Sequence, residues 1–401
     1  MPGPGSSEGD RRSPSSPLVH RQVVLLVVLC AVAVVLFALT RSLASWSQET
    51  MAREAAAAYT RGVAAERAGE LTHAIEEFRR AVFNDRDNRT YTLHLARVLA
   101  DGGHRDEAER LLLRLREAAP DDSEINYRLA RLAAFRHDVQ TAVRYYNHAM
   151  YGLAADGATL DRRRIRVELI HVLLDAGDRE AALPELTALS RELPDEVEAQ
   201  LEAGRLSARA GQTRVALERF RQAAAIDPTH AEAQVGAGAS ALALYDFRAA
   251  IQHFDAALRL GAGGDRLASN LAVARLADAS DPLAPALPIA ERARRLDAGF
   301  DWLAGQVEAC PAADIRAPAD VQADRTPAEG DRPEALPDSD VLRFGVLRSQ
   351  PQRALRDSDV IAEGVGLIGR LHATVTRVCP GEAPISQAWT LIAQAHPGEV
   401  R

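Results

Sequence analysis

The chain contains no lysine: all 48 of its basic residues are arginine. Schiff-base chemistry, a lysine general base and the lysine of a phosphate-binding P-loop are thereby excluded. Aromatic residues make up only 5% of the sequence, so a core must be built from alanine and leucine rather than from rings. Eleven scattered histidines and three cysteines form no Cys-x-x-Cys, no His-Glu-x-x-His and no haem-attachment pattern, so neither a metal nor a cofactor is expected. No serine sits in a Gly-x-Ser-x-Gly elbow. Gly364-Val-Gly366-Leu-Ile-Gly369 spells a dinucleotide-binding pattern, yet Trp389 stands where an acid is needed and the chain soon ends. A net charge of −8 does not favour a nucleic-acid partner. These absences predict a protein that is not an enzyme.

What the chain has instead is a beat. Ala74, Ala108, Ala142, Ala182, Ala216 and Ala250 fall 34, 34, 40, 34 and 34 residues apart, the mark of a helical repeat array. Four residues after each comes a bulky apolar side chain (Phe78, Leu112, Tyr146, Leu186, Phe220, Phe254). Three further on lies a smaller one (Ala81, Leu115, Ala149, Leu189, Ala223, Ala257), and steps of four and three keep all of them on one helical face. Twelve residues before each alanine stands Gly62, Ala96, Ala130, Ile170, Gly204 or Gly238, so every repeat needs a second helix. Gly69, Gly103, Gly177 and Gly211 mark the turns between helices, and Pro120, Pro194 and Pro228 end three repeats. Neither helix of a pair can hide its apolar face alone, so neighbours must stack.

This pattern resembles the tetratricopeptide repeat family over about residues 55–263; the repeat ending at Pro228 carries Gly204, Gly211, Ala216, Phe220 and Ala223. The resemblance implies an all-α helical-hairpin solenoid of about six repeats, residues 51–263. The longer step from Ala142 to Ala182 places a projecting loop within 151–161. Residues 264–310 read as capping helices. The stretch 311–340, with five prolines, eight acids and three arginines, reads as a flexible acidic linker, and 341–401 as a small helical segment behind it.

Val23 opens and Thr40 ends an uncharged run, residues 23–40. As a helix it reaches about 27 Å, close to a hydrocarbon core. The competing reading is a cleaved secretory signal, whose apolar stretch normally spans about 7 to 15 residues before a small-x-small site. Arg11, Arg12 and Arg21 precede the run, and Arg41 and Arg53 follow it. That bias predicts a single pass of the inner membrane, with a cytoplasmic tail over 1–22 and extracytoplasmic repeats. In an oxidising compartment Cys310 and Cys379 could close a disulfide, the alternative being two unconnected thiols.

By the resemblance, Val63, Arg97, Arg131, His171, Arg205 and Ala239 face the concave groove of the array, as do Tyr59, Leu93, Tyr127, Val167, Leu201 and Val235. A basic ladder beside an apolar strip suits an extended, carboxylate-bearing peptide, since guanidinium forks bind carboxylates in bidentate fashion. Alternatively, the arginines pair with acids of adjacent helices, such as Glu168 or Glu202, and hold the stack together.

The expected function is therefore a membrane-anchored scaffold of a bacterial envelope assembly that binds proteins through its groove. Two alternatives stand beside it: an accessory subunit positioning a polysaccharide-export or polymer-processing enzyme, and a periplasmic chaperone-like factor.

Overall fold

A computed structural model of the protein describes residues 17–153, 161–310, 338–350, 354–379 and 383–397. The residues expected to form the disordered tail (1–16), the loop (154–160) and most of the linker (311–337) lie outside that range. Among the described residues there are seventeen α-helices, one 3₁₀ turn and no strand. The chain divides into two compact units, Met1–Ile165 and Arg166–Arg401.

The first unit holds three hairpins: α1 (Pro17–Arg67) with α2 (Leu71–Asn84), α3 (Arg89–Asp101) with α4 (Arg105–Ala118), and α5 (Ser123–Phe135) with α6 (Val139–Tyr151). Helix α7 (Arg162–Asp175) spans the division. It is followed by α8 (Arg179–Arg191), α9 (Val197–Arg209), α10 (Thr213–Ile226), α11 (Ala231–Ala243) and α12 (Phe247–Arg259). The second unit then adds α13 (Asp265–Ser280), α14 (Ile289–Ala309), α15 (Asp338–Arg348), a 3₁₀ turn (Ala354–Arg356), α16 (Ser358–Val378) and α17 (Pro384–Ala395).

One backbone conformation turns every hairpin. Five residues before each repeat alanine, φ is positive: +78° at Gly69, +86° at Gly103, +79° at Gly177 and +80° at Gly211. A Cβ at any of these would meet nothing within 4 Å. Glycine is there for its backbone freedom, not for space. His137 (φ 59°) and Tyr245 (φ 62°) hold the same place in the other two hairpins.

A different demand acts on the helix glycines. All six repeat alanines are fully buried, and the bulky residues that follow them are at most 6% exposed. A Cβ on Gly62, Gly204 or Gly238 would lie 2.8, 2.8 and 2.6 Å from the rings of Phe78, Phe220 and Phe254. Where the second helix carries Leu112, Tyr146 or Leu186 instead, the equivalent positions hold Ala96, Ala130 and Ile170. Glycine inside a helix costs about 0.5–1 kcal/mol relative to alanine; the phenylalanine ring occupies the space that an alanine methyl would need.

Helix starts are capped where the side chain is short. Asn88, Asp122, Asp138, Asp178 and Asp246 each accept a backbone N–H of the first turn. Glu196, in the turn after Pro194, makes no such bond.

The terminal segment is not a separate piece. One apolar core of the second unit runs from Leu201 to Ile392, and places Leu367, Ile368 and Trp389 with Leu296 and Phe300. The Gly364 and Gly369 of the literal dinucleotide pattern lie inside α16, where added Cβ atoms would come within 2.8 Å of Leu296 and 2.5 Å of Ala393. They let helices approach closely. Helix α15 begins at Asp338, inside the stretch expected to be linker. Cys310 and Cys379 are bonded, Cα to Cα 6.0 Å, across 69 residues.

Helix α1 runs 51 residues, so the tail expected over 1–22 becomes helix at Pro17, and the uncharged run continues into the first repeat without a break. By length and composition it is long and apolar enough to cross a membrane. Leu25, Phe37 and Leu43 are exposed along it.

Candidate protein-binding face of the repeats

The first helices of the repeats position the residues singled out by register. On α1, Tyr59 stands half-buried, its hydroxyl 3.1 Å from Nε2 of His94 on α3. Arg97, one turn further along α3, donates to Glu66 of α1 and, at 3.3 Å, to Nδ1 of His94. A guanidinium can only donate, so Nδ1 accepts and the ring proton sits on Nε2, pointing at Tyr59. Burial, with Arg97 and Arg128 nearby, lowers the His94 pKa from 6.5 to about 4. Burial likewise raises the Tyr59 phenol. The result is a neutral relay between two helices.

Arg131 on α5 is exposed, its guanidinium carbon 5.9 Å from the Tyr127 ring centre. Tyr127 itself is buried, as is Leu93 (7% and 8% exposed), and Leu201 is fully buried. The apolar strip expected in the groove is core at these positions. They lie one turn before the small residue, where the side chain is covered by its neighbours rather than left open.

In the second unit, His171 on α7 accepts from Arg209 at 3.0 Å, while its Nε2 lies 4.0 Å from Glu202. Arg209 also donates to Asp175 at 2.5 Å. Arg205 on α9 donates to Glu232 on α11 at 2.7 Å. That hydrogen bond holds the Glu232 carboxyl below its ordinary range and raises the Arg205 guanidinium. Arg97 and Arg205 therefore tie successive first helices together. The Arg205 pair is exposed and the Arg97 pair partly buried; surface pairs contribute about 0–1 kcal/mol each, and a guanidinium has more N–H donors than one carboxylate uses.

Register alone missed His94, Arg105, Arg128 and Phe135. The Arg105 guanidinium carbon lies 3.6 Å from the Phe135 ring centre, and the pair borders a cleft of about 310 Å³ that Arg97, Arg128 and Arg131 also line. A signal for it existed: Phe135 takes the place held by Arg67, Asp101, Asp175, Arg209 and Ala243 in the other repeats. Among the described residues no group of three His, Cys, Asp or Glu is arranged to hold a metal.

Two family models described as tetratricopeptide repeat match, one over residues 65–132, the other over 38–89, 167–212 and 201–265. The chain belongs to the tetratricopeptide repeat family. Its array is thus a scaffold for protein–protein interaction, of a family that is generally non-catalytic. Among solved structures it is similar to YrrB, a TPR protein with an unusual peptide-binding site, at 19% identity over 48% of this chain and 95% of that one (TM-score 0.39). PilW, a type IV pilus biogenesis factor, shares 18% identity over 54% and 98% (TM-score 0.41). The pilF protein of Pseudomonas aeruginosa shares 15% over 54% and 95% (TM-score 0.41). No curated protein matches.

Proposed function

We propose that this tetratricopeptide protein is a non-catalytic scaffold anchored by α1 in a bacterial inner membrane, its tail cytoplasmic and its repeats outside. In an envelope assembly the repeats hold an extended, carboxylate-bearing segment of a partner protein. The observation that carries this reading is α1: an uncharged stretch with exposed leucine, valine and phenylalanine side chains runs directly into the first helix of the array. Side chains of that kind, left in water along about 27 Å of helix, call for lipid around them. The basic residues Arg97, Arg131, His171 and Arg205 on the first helices favour a carboxylate-bearing ligand.

Replacing Arg97, Arg131 and Arg205 by Gln tests the face. The variant loses, among its contacts, the Arg97–Glu66 and Arg205–Glu232 ion pairs, partly exposed and worth about 0–1 kcal/mol each, and unchanged helicity should show that the array is still folded. Cross-linked partners recovered from solubilised membranes should disappear from the variant; their persistence with unchanged helicity refutes the reading. A reporter enzyme active only outside the cytoplasm, fused at Arg401, should be active, and an inactive fusion overturns the orientation.

A further inference from the structure

We propose that the cleft between α3, α4 and α5 is a subsite for one acidic residue beside one aliphatic residue of a bound protein segment, with the edge of Arg105 as the fork for its carboxylate. This rests on reading the repeats as a partner-binding face, and adds the place and the chemistry of one contact.

Phe135 is 57% exposed at a register position that is charged or small in the other repeats. Its ring carries the Arg105 guanidinium at 3.6 Å. Stacking fixes the plane of the guanidinium and leaves its N–H edge to form paired hydrogen bonds. Arg105 is also the first residue of α4, where a cation opposes the helix dipole. The acids beside it are engaged elsewhere: Asp106 with Arg136 at 2.7 Å, and Glu107 with Arg79 at 2.7 Å. Among the described ion pairs Arg105 has none.

Charge selects the ligand. Arg97 already holds Glu66, Arg128 holds Glu124, and the wall of the cleft also carries the positive charge of Arg131 and the negative charge of Asp101. What the Arg105 edge complements is one further negative charge, as on a carboxylate, rather than a phosphate dianion. Ala96, Ala100, Leu112 and Leu132 supply an apolar floor for an aliphatic side chain. At about 310 Å³ the cleft is at the small end of ligand sites, with room for side chains rather than a cofactor.

The test uses the full-length protein in detergent micelles and short, capped, fluorescent peptides with a single Leu-Glu pair in a Gly-Ser background, read by anisotropy. Leu-Glu should bind at least about tenfold more tightly than Leu-Gln or Gly-Glu, the scale of a lost charge-assisted hydrogen bond. Arg105→Gln and Phe135→Ala should each weaken binding about tenfold, and so should Arg105→Lys, which keeps the charge but loses the fork and the stacked plane. Helicity should be unchanged in all three. Equal binding of Leu-Glu and Leu-Gln, tighter binding of a Leu-phosphoserine peptide, or Leu-Glu binding untouched by Arg105→Gln overturns the proposal. If Leu-Glu fails to bind while partner capture still depends on Arg97, Arg131 and Arg205, the subsite is refuted and the scaffold reading stands.

Discussion

Gly204 and Phe220 offer the sharpest test of how these hairpins are packed. A methyl group placed on Gly204 would lie 2.8, 3.0 and 3.0 Å from three carbons of the Phe220 ring. Carbon atoms rest comfortably at about 3.5–4.0 Å, so helix or ring must move by several tenths of an ångström. Gly204→Ala alone gains about 1 kcal/mol of helix propensity and loses about 1–3 kcal/mol to overpacking. The expected net is destabilisation by up to about 2 kcal/mol. Phe220→Leu alone leaves a gap and should cost about 1 kcal/mol. The double variant recreates the Ala96 and Leu112 pairing of the second hairpin. There the methyl enters the space the ring vacated, so the two losses should largely cancel, with a coupling of about 1–3 kcal/mol. Hydrogen exchange at α9 and α10 amides reads this locally, which matters in an array whose repeats need not unfold together. If Gly204→Ala instead raises protection by the full propensity gain, the ring does not constrain the helix and the argument fails.

The other predictions concern backbone, protons and sulfur. His137→Gly should stabilise the third hairpin by about 1–2 kcal/mol, because φ of 59° strains any residue with a Cβ; thermal melts that show no gain refute this. The His94 value of about 4 lies below 6.5, so the unfolded chain binds more protons between those values. Stability of the first two hairpins should therefore fall as pH drops through that window, with an NMR titration of the ring giving its midpoint near the lower value. A midpoint near 6.5 would remove the neutral relay. Cys379→Ser should weaken exchange protection of α16 and α17 by up to about 4 kcal/mol, the loop-closure value for a bond of this span.

The parts of the fold that register could reveal are those imposed by local geometry. The turn glycines were legible because few other residues accept a positive φ without strain, whereas His137 and Tyr245 accept the strain and so leave no signal. Helices α16 and α17 have readable periodicity, but their docking on α14 depends on contacts such as Gly364 against Leu296, which have no period. Helix α15 was hidden by the Pro-rich, acidic stretch that precedes it. On the proposed binding face, the ladder positions came from the family resemblance laid over the repeat spacing. Their partners did not, since Arg97 meets Glu66 and Arg205 meets Glu232 at separations of 31 and 27 residues set by stacking. Periodicity shows which side of a helix is apolar, not how far its neighbour covers it, which is why Leu93 and Tyr127 proved buried.

The junction within α1 determines what an anchored array can do. Residues 41–61 contain neither glycine nor proline. Ser45 and Thr50 return their hydroxyls to carbonyls one turn back. Glu49 and Arg53 pair at 3.6 Å in the orientation that favours a helix. Nothing in this stretch supplies a hinge. Fifteen residues separate Thr40 from Ala55, the first buried residue of the array, about 22 Å along the axis. A Gly-Ser tether of that length would let the repeats sample every height and rotation, whereas a helix fixes both. In an anchored protein, a partner in the same membrane then meets the face at a set height and rotation, and the effective concentration of its segment depends on whether its own reach matches that height.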